Sequence, residues 1–115
     1  MSNAPSLWST NQPSRLLASR DPRSGALRFP AYPAASPLAA GCETVELEGR
    51  GQLYSFTVIH PNPKSGAQPF ALGYVDLPGP VRIFGRIQGA HVAIGAACVA
   101  APDAEFGYAF HTVSN

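Results

Sequence analysis

The chain has 115 residues, of which 45% are hydrophobic and only 13% charged, with a formal net charge of +1. That length supplies one small core and leaves no room for a second, and so little net charge creates no global field to draw in nucleic acid or an anionic membrane. The low charge fraction also predicts that part of the surface is an interface. No run of about 18 apolar residues occurs, which excludes a spanning helix. The opening MSNAPSLWSTNQPSRLL lacks the zones of a secretory signal, so a cytoplasmic protein is expected.

Residues 1–13 are polar and aperiodic and read as a flexible arm, in which Leu7 and Trp8 could dock on a neighbour. Ser14 could cap a short helical turn over residues 14–19 that Pro22 would end. Arg15, Arg20, Arg23 and Arg28 face a single acid, Asp21, in this part of the chain, while Glu43, Glu46 and Glu48 crowd the next. The arginines read either as an anion-facing set or as ordinary solvated side chains. The run PAYPAASPLAAG, residues 30–41, holds three prolines, which excludes a long helix or a central strand and leaves an extended linker or a loop remnant. Cys42 and Cys98 form no C-x-x-C pair and are expected to be small buried or half-buried thiols in a reducing compartment.

From Thr44 the pattern turns to β-structure. Val45 and Leu47 alternate with Glu46 and Glu48, a glycine bend follows at residues 49–51, and an aromatic and β-branched run continues to His60. This predicts one long first strand, with Tyr54, Phe56 and Val58 on one face and Leu53, Ser55, Thr57 and Ile59 on the other. A Pro/Gly-rich loop over residues 61–68 leads to a second strand at 69–77, and Pro78-Gly79-Pro80 turns it into a third at 81–88. In that third strand Val81, Ile83, Gly85 and Ile87 should face inward, and Arg82, Phe84, Arg86 and Gln88 outward. Residues 89–95 form a short crossover, and strands at 96–101 and 105–113 bring the total to five. The expected fold is all-β, a five-stranded OB-type barrel over residues 44–115 preceded by a separate segment over 14–43.

The segments GRGQLYSFTVIH (49–60), PFALGYVDL (69–77) and VRIFGRI (81–87) resemble the acyl-CoA-associated OB-fold family, catalogued as domain of unknown function 35, over about residues 15–113. The resemblance implies a rubredoxin-like zinc ribbon before the barrel. It also implies a non-catalytic role beside a thiolase, another condensing enzyme, an acyl-CoA hydratase or an aldolase. The family ribbon has a C-x-x-C-G knuckle before a Phe-Pro pair and a C-P-x-C knuckle after it. Aligned on Gly25, Phe29 and Pro30, the four ligand positions here hold Asp21, Ser24, Ser36 and Ala39, beside Pro37. Serine and alanine offer no useful zinc donor, and Cys42 lies three residues past the last position, so no structural zinc is expected. Without the metal, the ribbon should be looser, or held by packing on the barrel or on a partner.

For chemistry, His60, His91 and His111 are candidate bases that Asp76 could orient, but no nucleophile elbow, HExxH or phosphate loop accompanies them. They read as strand-end or surface histidines. Arg82, Phe84 and Arg86, extended by Tyr54 and Tyr74, form the candidate binding face, because OB barrels present this region to ligands. Its plainer reading is a subunit interface with salt-bridged arginines.

Two function classes follow. One is an accessory subunit of an acyl-CoA enzyme that could also contact CoA, with Arg82 or Arg86 and the arginines of residues 15–28, Arg23 and Arg28 among them, offered to the phosphates and Phe84 or Tyr54 to the adenine. The other is a single-stranded nucleic-acid-binding module, which near-neutral charge and one lysine disfavour. No membrane partner is expected, and self-association stays open.

Overall fold

The computed structural model describes residues 7–10, 14–33 and 35–113. Residues 1–6 and 11–13 of the expected arm lie outside the described residues. The first unit is an antiparallel three-stranded sheet of β1 (Leu17–Arg20), β2 (Leu27–Arg28) and β3 (Glu43–Glu46), in the order β2-β1-β3. The helical turn expected at residues 14–19 is therefore a correction. Leu16 and Ala18 are buried while Arg15 is exposed and Leu17 half-buried, the alternation of a strand; Ser19 is buried as well, its hydroxyl accepting the Tyr32 amide at 2.8 Å. Six residues also cannot repay helix nucleation on their own.

Leu7 and Trp8 dock on their own chain rather than standing ready for a neighbour. Trp8 bridges Leu16, the Leu17 amide donates to the Leu7 carbonyl at 2.9 Å, and the Trp8 indole donates to the Gly107 carbonyl at 2.8 Å. Between β2 and β3, Ser36 caps a short 3₁₀ turn at Pro37–Gly41, in keeping with the prolines there.

Five further strands close the barrel: β4 (Arg50–Ile59), β5 (Phe70–Leu77), β6 (Val81–Gln88), β7 (Ala97–Ala101) and β8 (Ala109–Thr112). Their order is β4-β5-β6-β8-β7, with β7 returning to β4, and only β6 and β8 run parallel. This is the all-β, OB-type closure that the sequence predicts. Val45 belongs to β3 and pairs with Ala18, so the long first strand is two strands in two sheets. The chain changes sheet around Leu47, whose amide donates to the Leu16 carbonyl at 2.9 Å and whose side chain is buried in the seam.

A β-bulge at Tyr54 overturns the predicted facing of β4. Leu53 stands opposite Val75, but Ser55 stands opposite Tyr74, so one residue is extra and the phase slips by one. Leu53 and Phe56 consequently both meet the core, and Tyr54 is thrown outward. Phe56 fits because Gly73 lies opposite it; a Cβ there would stand 2.9 Å from the Phe56 Cβ. In β6 the predicted inward face holds, with Ile83 and Ile87 buried. Gly85 leaves its space to the Tyr108 ring, 2.9 Å from where a Cβ would stand.

The last strand is shorter than residues 105–113. The Asp103 carboxylate accepts the amides of Glu105 and Phe106 at 3.0 and 2.8 Å, making a turn that Gly107 closes at φ 87°, and pairing begins only at Ala109.

The two sheets share one core, in which Leu16, Ala18 and Leu47 cluster with Leu53, Val75, Leu77, Ile83 and Phe110. Phe29 meets Tyr108 edge-on at 5.2 Å, and Tyr108 meets Phe110 at 5.9 Å. The three-stranded sheet is thus packed against the barrel. Cys98 is fully buried, which pushes its thiol pKa up, and Cys42 is half-buried. Among the described residues no helix is long and apolar enough to cross a membrane.

Candidate functional site

The β5–β6 hairpin sets the outer face of the barrel. Its register places Asp76 opposite Arg82, Tyr74 opposite Phe84 and Leu72 opposite Arg86, while β4 adds Gln52, Ser55 and Thr57 to the same rows. Directly opposed residues share a face. Tyr54, Tyr74 and Phe84 are 51%, 45% and 48% exposed, so three rings stand open to solvent where a monomer would ordinarily present polar groups. Tyr74 and Phe84 touch at 5.1 Å between centroids with a 58° tilt.

Both arginines of this face are already engaged. The Arg82 guanidinium lies 3.4 Å from the Tyr54 ring centroid; its Nε donates to Asp76 Oδ1 at 2.6 Å and its Nη2 to Asp76 Oδ2 at 3.1 Å. That hydrogen bonding is the largest influence and holds the Asp76 carboxyl below its ordinary range against the opposing effect of desolvation, and it raises Arg82. Arg86 stacks 5.0 Å from the Phe70 centroid and 5.9 Å from Phe106, with Glu105 Oε2 4.0 Å away. The face is therefore aromatic and close to charge-balanced. Asp76 is spoken for by Arg82, which corrects the expectation that it could orient a histidine. His60 lies just past the end of β4, His91 in the crossover and His111 in β8, three separate places in the fold.

Because the Arg82–Asp76 pair is 47% and 42% exposed, its contribution to stability is small. Asp76→Asn is expected to cost correspondingly little, measured by urea unfolding at neutral pH. A carboxylate with a lowered folded pKa stabilises above its ordinary 3.8 and loses that contribution as pH falls through the folded value. The gap between wild type and variant should accordingly close in acid.

Arg23 and Arg28 lie on the three-stranded sheet, Arg23 in the β1–β2 turn and Arg28 with its guanidinium 4.6 Å from the Tyr32 ring centroid. Leu27, next to Arg28, packs against Gly79 of the β5–β6 turn, so β2 abuts the barrel near Asp76 and Arg82.

Three of the four positions that the family resemblance aligns with zinc ligands tie backbone turns. Asp21 accepts the Arg23 amide at 2.9 Å, Ser24 the Ala26 amide at 3.2 Å and Ser36 the Leu38 amide at 3.2 Å, while Ala39 has no donor. This set does not fit zinc, and among the described residues no three His, Cys, Asp or Glu side chains gather in a metal-binding group.

The pairing of Asp76 with Arg82 was missed from sequence, although counting outward from Gly79 finds it, together with Tyr74 and Phe84. Phe106 and Glu105 reach Arg86 from a turn and carry no local signal.

Residues 44–101 match the family described as the ChsH2 C-terminal OB-fold domain. Over 67 residues the sequence is 39% identical to a benzoylsuccinyl-CoA thiolase subunit, BbsA, of Thauera aromatica, covering 57% of this chain and 46% of that protein. The Geobacter metallireducens subunit of the same name is 40% identical over 47 residues, covering 41% and 32%. The matched stretch thus spans less than half of either relative. Among solved structures, the Ltp2-ChsH2(DUF35) aldolase superposes with a TM-score of 0.62 at 27% identity, covering 85% of this chain and 84% of that one.

Proposed function

This chain belongs to the ChsH2 C-terminal OB-fold family, and from that premise we propose that it is a non-catalytic accessory subunit binding an acyl-CoA-processing enzyme through the outer face of β4, β5 and β6. The enzyme would be thiolase-like, another condensing enzyme, a hydratase or an aldolase; the similar proteins named above are a thiolase subunit and part of an aldolase. The observation that carries the reading is the open row of Tyr54, Tyr74 and Phe84 between charge-balanced arginines. Exposed aromatics beside arginine are what protein interfaces use as anchors. A non-catalytic role is supported by the scattered histidines and by the engagement of Asp76 with Arg82.

Contact with CoA belongs to the same proposal. Arg23 and Arg28 are the charges best placed for its phosphates, since among the described residues neither pairs with an acid. Single-stranded nucleic acid is less well served, because a backbone-tracking groove needs cations not already neutralised. The ribbon is proposed to fold without zinc, its turns tied by Asp21, Ser24 and Ser36. Metal analysis of the purified chain should find no stoichiometric zinc, and tightly bound equimolar zinc would refute this.

The functional reading is tested by co-expressing the chain with the acyl-CoA enzyme encoded beside its gene. Co-elution of the two, with no acyl-CoA turnover by this chain alone, is expected. Failure to associate, together with steeply salt-sensitive retention of single-stranded DNA, would overturn it.

A further inference from the structure

The two edges of β4 are covered over different lengths. On one side β5 pairs with it from Gln52 to Ile59. On the other, β7 reaches only Arg50 to Gln52, and the last bonds there join Leu53 to Ala96 and Gly95. Among the described residues nothing pairs with that second edge from Ser55 to Ile59. An antiparallel ladder turns every second amide and carbonyl away from the strand it pairs with, so this stretch presents a row of open donors and acceptors. Its residues, Ser55, Phe56, Thr57, Val58 and Ile59, include no charge and no proline, the usual defences of an exposed edge. Val58 and Ile59 are 45% and 37% exposed, and Thr57 is exposed beside them.

We propose that this edge pairs with the same edge of a second copy of the chain, antiparallel about a two-fold axis at Thr57. The sequence is self-complementary in that register. Thr57 meets the partner's Thr57, Phe56 meets the partner's Val58, Ser55 meets the partner's Ile59, and His60 falls opposite the partner's Tyr54. Threonine pairs and aromatic with β-branched pairs are favourable cross-strand neighbours, and no like charges are opposed. A net charge of +1 leaves little long-range repulsion between copies. The interface is isologous and therefore closes as a dimer. It joins β4, β5 and β6 of each copy into one sheet and sets two Tyr54, Tyr74 and Phe84 rows on the same side. The inference does not depend on the identity of any partner enzyme.

Light scattering of the purified full chain, coupled to size exclusion, should give twice the chain mass. Thr57→Lys places two ammonium groups together on the axis and should weaken dimerisation at least tenfold, with circular dichroism unchanged. A monomeric wild type overturns the proposal and leaves the edge to an extended segment of another protein; a Thr57→Lys dimer overturns it equally. Should the lysine variant fail to fold, Thr57→Cys decides. Directly opposed residues of antiparallel strands have Cα atoms about 4.5–5.5 Å apart, within disulfide reach. Oxidation should yield a covalent dimer whose linked peptide joins position 57 to position 57, and absence of that peptide refutes the register.

Discussion

Tyr108→Ala is expected to destabilise the chain by about 2–3 kcal/mol, below the range of about 3–5 kcal/mol for a fully buried aromatic because the ring is half-buried. The magnitude follows from how many elements the ring joins. It packs edge-on against Phe29 of the ribbon and Phe110 of β8, and fills the space that Gly85 leaves in β6. Its hydroxyl donates to the Phe84 carbonyl, capping part of the β6 edge that β8 does not reach. Tyr108→Phe keeps the rings and loses only that hydrogen bond, about 1 kcal/mol. Urea unfolding should separate the two variants by about 1–2 kcal/mol. Hydrogen exchange should show residues 26–33 losing protection in the alanine variant first, because the ribbon hangs on the barrel through Phe29. Equal stability of the two variants would mean that the aromatic cluster does not hold the ribbon. Burial also raises the Tyr108 phenol above its ordinary 10. A raised folded pKa stabilises fully below the unfolded value and is lost as pH rises through the folded one, so the stability advantage of the wild type over Tyr108→Phe should shrink in strong alkali.

The second large effect concerns binding. Phe84→Ala and Tyr74→Ala should each weaken the complex with the acyl-CoA enzyme by about 2 kcal/mol, roughly 30-fold in Kd, as central aromatic anchors do. Both side chains are about half exposed in the free chain, so their removal should cost the isolated protein little. That contrast makes the pair diagnostic: titration calorimetry should register the loss while urea midpoints hardly move. Because the two rings touch, the double variant should fall short of the sum of the singles. Unchanged affinity in both single variants would place the interface elsewhere.

Much of this site was legible in the order of residues. The β5–β6 hairpin announces itself through Pro78, Gly79 and Pro80, and alternation then assigns Arg82, Phe84 and Arg86 to one side and Ile83 and Ile87 to the other. These are short-range patterns of period two around a turn, and physics within ten residues decides them. Arg82 reads as an open cation only when β6 is taken alone; its neighbour across the hairpin, Asp76, neutralises it.

Other features had no local signature. The bulge at Tyr54 depends on β4 serving β5 on one side and β7 on the other, which requires the barrel to be closed. The helical turn proposed for residues 14–19 failed because Leu16 and Ala18 answer to the core that Leu47 and Phe110 complete.

By itself, then, the amino-acid sequence determined the five strands, the open aromatic face of the third barrel strand and the absence of thiolate or imidazole donors at Asp21, Ser24, Ser36 and Ala39. The tertiary structure decided the phase of β4, the change of sheet at Leu47, the docking of Leu7 and Trp8, and the place of Tyr108 between ribbon and barrel. The division has one physical cause: facing and turn chemistry are set by residues near in sequence, whereas strand phase and edge capping are set by partners that only chain closure brings together.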